Sequence, residues 1–159
     1  MHSIAPAPPS PADPPALVSL SDRLRGRMGE LGPLMRNRAL YPVFQPIANI
    51  HDGAIYAHEA LIRGPVGTPL HSADALFQLA RQDQVVIEFE LHCVELALAQ
   101  WGRLNQPGRL FVNISADALV HMIDNRARRQ LLDYVRGLGI SARMLVFEIT
   151  EHERVSDMA

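Results

Sequence analysis

Lysine is missing altogether: all fifteen basic residues of this 159-residue chain are arginine. Chemistry that needs an ammonium group therefore finds none here, because a guanidinium stays protonated and acts as a planar fork of donors. Cysteine occurs once, at Cys93, which excludes an internal disulfide. Its place in the periodic run Glu90-Leu91-His92-Cys93-Val94-Glu95-Leu96 points to a helix core position and a structural thiol. Long apolar runs are absent too. No stretch of about 18 apolar residues offers a bilayer span, and no cationic start leads into the apolar core of a secretory signal. The expected location is the cytoplasm. A net charge of −2 provides no global field for a nucleic-acid polymer or a membrane surface. The one basic cluster, Arg126-Ala127-Arg128-Arg129, opens a polar helical stretch and reads as a solvated face.

What is present suits one globular domain: 48% of residues are hydrophobic, 20% are charged, and the mean hydropathy is +0.01. Half of the twelve prolines precede residue 16, at Pro6, Pro8, Pro9, Pro11, Pro14 and Pro15. Fixed φ angles and missing N–H donors there predict a disordered tail over 1–16. Residues 17–40 place Leu20, Leu24, Met28, Leu31 and Leu34 at roughly helical spacing, weakened by Gly26, Gly29 and Gly32, and predict a linker helix. Residues 41–159 then form the domain.

Within that domain, strand-like runs at 41–50 and 54–62 flank His51-Asp52-Gly53, and Asp-Gly between apolar segments predicts an antiparallel hairpin. Ser72 suits the N-cap of a helix over 73–82, and a longer amphipathic helix follows at 86–104. Gln106-Pro107-Gly108 ends it, so the apolar run 110–114 reads as a buried strand. A helix at 125–138 closes on Gly139, at a left-handed C-cap position, before a second buried strand at 144–149. Two successive helix-to-strand units predict a parallel α/β sheet.

Three side chains place oxygen ligands on or at the ends of these apolar strands: Glu59, Asn113 and Glu148. A carboxylate buried in Met144-Leu145-Val146-Phe147-Glu148-Ile149 needs a partner, and a cation is one natural choice. Two carboxylates and an amide oxygen form a hard donor set that suits Mg²⁺ or Mn²⁺ better than zinc. The residues alone leave a second reading open, in which Glu59 faces solvent and Glu148 pairs with an arginine such as Arg63. The histidines His51, His58, His71, His92, His121 and His152 are scattered rather than set at ligand spacing, so they receive no role.

Four segments, Phe44-Gln45-Pro46-Ile47, Glu59-Ala60-Leu61-Ile62-Arg63, Phe111-Val112-Asn113-Ile114-Ser115 and Phe147-Glu148-Ile149-Thr150-Glu151, resemble in order and separation the motifs of an EAL-type cyclic di-GMP phosphodiesterase domain, in its N-terminal half. The resemblance implies half of a modified (β/α)8 TIM-type barrel whose first strand is antiparallel, in agreement with the hairpin at Asp52-Gly53. It implies Glu59, Asn113 and Glu148 as ligands of Mg²⁺ or Mn²⁺, Gln45, Leu61 and Arg63 as contacts to the cyclic dinucleotide, and Glu151 as the support of a loop that organises the metal site. Arg63 would hold a phosphate oxygen, a task that suits its bidentate fork, and Glu59, Leu61 and Arg63 share a strand face by period two. Position 62 is Ile where the family usually has Leu.

The implied reaction is metal-dependent hydrolysis of cyclic di-GMP to linear pGpG. The family's second half brings a paired-aspartate motif, a lysine and a further glutamate, none of which these residues supply. The expectation is thus a truncated domain, about four of eight strands, that is inactive alone and partnered by cyclic di-GMP and by a second copy or the remaining half. The alternatives are a non-catalytic remnant that binds cyclic di-GMP or a protein partner, and a structural α/β domain whose carboxylates pair with arginines.

Overall fold

The computed structural model describes residues 29–104, 108–123 and 125–150. The expected disordered tail, most of the expected linker helix and Glu151 lie outside them. The elements in order are α1 (Leu31–Arg36), β1 (Tyr41–Ala48), β2 (Ile55–Arg63), α2 (Ala73–Gln82), α3 (Val86–Leu104), β3 (Arg109–Ile114), α4 (Ala116–Ile123), α5 (Asn125–Gly137), a 3₁₀ turn (Ala142–Met144) and β4 (Leu145–Ile149). The strands form one open sheet in the order β1-β2-β3-β4. β1 runs antiparallel to β2, whereas β2, β3 and β4 are mutually parallel.

Local chemistry explains most of these elements. The β1–β2 turn closes with the Gly53 N–H donating to the Asn49 carbonyl at 2.8 Å, and the Ala54 N–H donating to Asp52 Oδ1 at 2.9 Å. Gly53 has φ of +71°, a conformation that costs a residue without Cβ little. Ser72 caps α2 by accepting from the Ala75 N–H at 3.3 Å. After α5, Gly139 takes φ of +73° and its N–H donates to the Arg136 carbonyl at 2.9 Å, so the helix ends where a left-handed cap belongs.

Two hydrophobic clusters lie on the helix side of the sheet. One joins Leu110, Val112 and Ile114 of β3 to Val94, Leu98 and Trp101 of α3, Met122 of α4 and Val135 of α5. Phe44 of β1 and Phe147 of β4 pack against it, with the Phe44 and Trp101 rings 5.0 Å apart. The other joins Leu31 and Met35 of α1 to Ile62, Leu76, Leu79 and Phe89. Within the stretch expected as a linker helix, the described helix is thus six residues long and packs into the core. Its first N–H, on Leu31, donates to Asp83 Oδ2 at 3.2 Å, which ties it to the end of α2. Ile62 is buried in this second cluster, so it points away from the face of Glu59, Leu61 and Arg63.

The alternation Leu110, Val112, Ile114 buried against Arg109, Phe111, Asn113 half-buried shows that β3 commits one face to the helices and leaves the other open. That open face carries the polar residues of interest. α4 was not foreseen as a helix: its eight residues follow directly on the strand, and Ser115, at the end of the strand-like segment, turns out to be its cap.

Candidate functional site

Three strands bring the oxygen donors together. Glu59 sits in β2, Asn113 near the end of β3, and Glu148 near the end of β4. Asn113 and Glu148 are partners in the parallel β3–β4 register. Glu59 pairs with Phe111, two residues before Asn113, and the diagonal is closed by a side-chain hydrogen bond: Asn113 Nδ2 donates to Glu59 Oε1 at 2.6 Å. An amide that donates through its nitrogen keeps its oxygen as a ligand atom.

β1 adds a fourth row to this face. Gln45 lies opposite Glu59, Val43 opposite Leu61 and Tyr41 opposite Arg63, and directly opposed residues of an antiparallel pair project to the same side. Leu61 and Arg63 are half-buried, and Gln45 is exposed. The Arg63 guanidinium donates through Nη1 to the Ile62 carbonyl at 2.8 Å. Among the described residues it makes no ion pair with Glu148, so the alternative pairing is not formed.

One expectation is corrected. Glu148 is exposed rather than buried, because β4 is the last strand of the sheet and, among the described residues, none pairs with its far edge. Its solvation needs no partner, so the cost that singled it out in the sequence is not incurred in this chain. Glu59 is half-buried and has its partner in Asn113.

The donor set fits a hard cation. Among the described residues no cluster of three or more His, Cys, Asp or Glu side chains is placed to hold a metal ion. A metal here would rest on the Glu59 and Glu148 carboxylates and the Asn113 amide oxygen, completed by water or by groups outside the described residues. Magnesium-like ions keep several waters and accept such incomplete protein shells.

Sequence reasoning missed Glu90. This carboxylate lies in α3, is only 2% exposed, and accepts a hydrogen bond from the Ser115 hydroxyl at 2.5 Å. The signal was legible, since Glu90, Val94, Ala97 and Trp101 form one buried stripe at helical spacing. Among the described residues no histidine hydrogen-bonds to Glu59, Asn113 or Glu148; His58 stacks on Trp101 at 5.2 Å, and His71 Nδ1 meets the Gly64 carbonyl at 3.1 Å. Desolvation pushes the Cys93 thiol far above its ordinary range, with the Glu90 charge adding to it, as befits a structural thiol.

The open α/β sheet with its antiparallel first strand, carrying carboxamide and carboxylate side chains on one face, is part of a modified TIM-type barrel. The sequence model of the EAL domain matches residues 28–159, and the chain belongs to the EAL domain family. Solved structures agree on the fold. The EAL domain of Xanthomonas citri FimX in complex with c-diGMP is 18% identical with a TM-score of 0.62, over 82% of this chain and 51% of that one. Klebsiella pneumoniae BlrP1 in a manganese and cyclic di-GMP complex is 25% identical with a TM-score of 0.59, over 71% of this chain and 28% of that one. A standalone EAL protein of Vibrio cholerae, bound to c-di-GMP, is 24% identical with a TM-score of 0.55, over 74% and 47%. The chain thus spans about half the length of the FimX domain or less of these neighbours. A search of curated protein sequences finds no match.

Proposed function

We propose that this chain supplies the first four strands of a cyclic di-GMP phosphodiesterase site. Glu59, Asn113 and Glu148 are its metal ligands, and Gln45, Leu61 and Arg63 its contacts to the cyclic dinucleotide. Glu151 supports a neighbouring loop that organises the metal site. The observation that carries this reading is the Glu59–Asn113 hydrogen bond with Glu148 in register beside it. Bound cyclic di-GMP in the similar structures, and manganese in one of them, support the ligand class.

In the complete domain, Glu59, Asn113 and Glu148 would hold Mg²⁺ or Mn²⁺, which would supply Lewis-acid activation of water and charge neutralisation for hydrolysis of cyclic di-GMP to pGpG. What this chain contributes is binding and orientation. Arg63 offers a bidentate, charge-assisted grip on a phosphate, and the Asn113 amide holds the Glu59 carboxylate in place. With four open strands and no lysine, the polypeptide by itself binds without turning over. The domain works in the cytoplasm, and a second copy or further strands complete its sheet.

Mn²⁺ titrated into the full chain tests the ligand set. Binding is expected, and Glu59→Ala should weaken it roughly tenfold or more, the scale of disrupted metal shells. An affinity unchanged by Glu59→Ala would sink the reading. A second reading, a binding module without catalysis, is favoured by the exposure of Glu148. It predicts cyclic di-GMP binding that survives both Glu59→Ala and metal chelation but is lost in Arg63→Ala.

A further inference from the structure

Glu90 does not face the open side of the sheet. It lies in α3, on the helix side, buried to 2% exposure among apolar neighbours. A carboxylate so placed is retained at a desolvation cost that hydrogen bonds must offset. One of them comes from Ser115 Oγ, two residues beyond Asn113. The same hydroxyl accepts from the Ala118 N–H at 3.2 Å, and the Ser115 carbonyl accepts from the Leu119 N–H at 2.9 Å, so Ser115 is the N-cap of α4. The Thr150 N–H reaches across from the end of β4 to the Ile114 carbonyl at 3.0 Å. The exits of β3 and β4 thus meet at one pivot, and Glu90 holds that pivot from behind.

We propose that Glu90, acting through the Ser115 hydroxyl, is a positioning residue that sets the end of β3 and with it the Asn113 amide against Glu59. The inference rests on the metal-site reading above only for its consequence in affinity; the geometric claim stands on the metal-free chain. A hydroxyl that donates to a carboxylate while accepting from a helix N–H has both its directions fixed, so the turn from β3 into α4 has one setting. Asn113 is two residues from that turn, and a bond of 2.6 Å to Glu59 tolerates little rotation of the strand end.

The test uses the full chain, labelled with ¹⁵N, and two readouts. The first is the side-chain amide signal of Asn113 without metal, identified by its loss in Asn113→Asp. The second is the dissociation constant for Mn²⁺. Ser115→Ala and Glu90→Met should each shift the Asn113 amide signal, speed its hydrogen exchange and weaken Mn²⁺ roughly tenfold, as supporting groups around metal ligands do. Ser115→Thr keeps the hydroxyl and should retain both readouts.

Glu90→Met matters because it removes a buried charge at similar volume. It leaves the Ser115 hydroxyl without its acceptor and should lower the thermal midpoint; a shifted Asn113 amide signal together with weaker Mn²⁺ binding, both read well below that midpoint, is what a merely structural role does not produce. This variant also keeps the question answerable where Ser115→Ala destabilises the chain. An unshifted Asn113 amide and an unchanged Mn²⁺ affinity in both variants would overturn the positioning role, even with the wild type binding metal. A wild type that binds no Mn²⁺, with the Asn113 amide still shifted in the variants, would overturn the metal site and leave the positioning intact.

Discussion

At the residue scale, partners decide what each polar side chain can do. Glu59 and Asn113 face each other across β2 and β3, whereas Glu148 stands in solvent. His92 shows the opposite situation. It lies in α3, its Nδ1 is buried without a hydrogen-bond partner among the described residues, and desolvation lowers its pKa from 6.5 to about 4. The folded chain therefore resists protonation that the unfolded chain accepts below pH 6.5. Stability from this group is full above that pH and is lost as pH falls towards 4. Linkage puts the loss at about 2 kcal/mol between pH 7 and pH 5. Urea unfolding at the two pH values should show this drop in the wild type and a smaller one in His92→Leu. Equal drops in both would remove His92 as the cause.

Elements follow largely from their own residues. The Asp52-Gly53 hairpin, the Ser72 cap and the Gly139 stop all sit where local chemistry puts them, because each depends on contacts within a few residues. α4 escaped sequence reading for the complementary reason. Eight residues barely exceed two turns, and isolated helices of that length are unstable, so tertiary contacts at Ser115 and Met122 sustain it. The loop after β2 is equally tertiary. Gly64 donates to the His71 carbonyl at 3.0 Å, and a Cβ at Gly64 would lie 2.0 Å from the Leu70 carbonyl oxygen. Backbone cannot yield as a flexible side chain does. Gly64→Ala should therefore cost about 1–3 kcal/mol, the range for overpacked sites. A thermal midpoint equal to that of the wild type would refute this account of the loop.

For the whole molecule the open sheet is decisive. Among the described residues β1 and β4 are both edge strands, and unpaired edges template association with other chains. Ile149 on β4 is 59% exposed and Ile55 on β2 61%. The chain alone should self-associate in a concentration-dependent way, read by light scattering after size exclusion. A charge on the β4 edge, Ile149→Lys, should shift it towards monomer, whereas association unaffected by that change would place the contact elsewhere.

Sequence by itself determined the alternation of elements, the antiparallel hairpin, the family motifs and the side-chain identities of the candidate site. These are properties of period, turn chemistry and local capping, which act over a few residues. Only the tertiary structure decided that Glu148 is solvated, that Asn113 grips Glu59, and that Glu90 reaches Ser115 from the helix layer. Those outcomes depend on which strands are neighbours and which sheet edge is left bare, and such long-range pairing is carried by no local pattern.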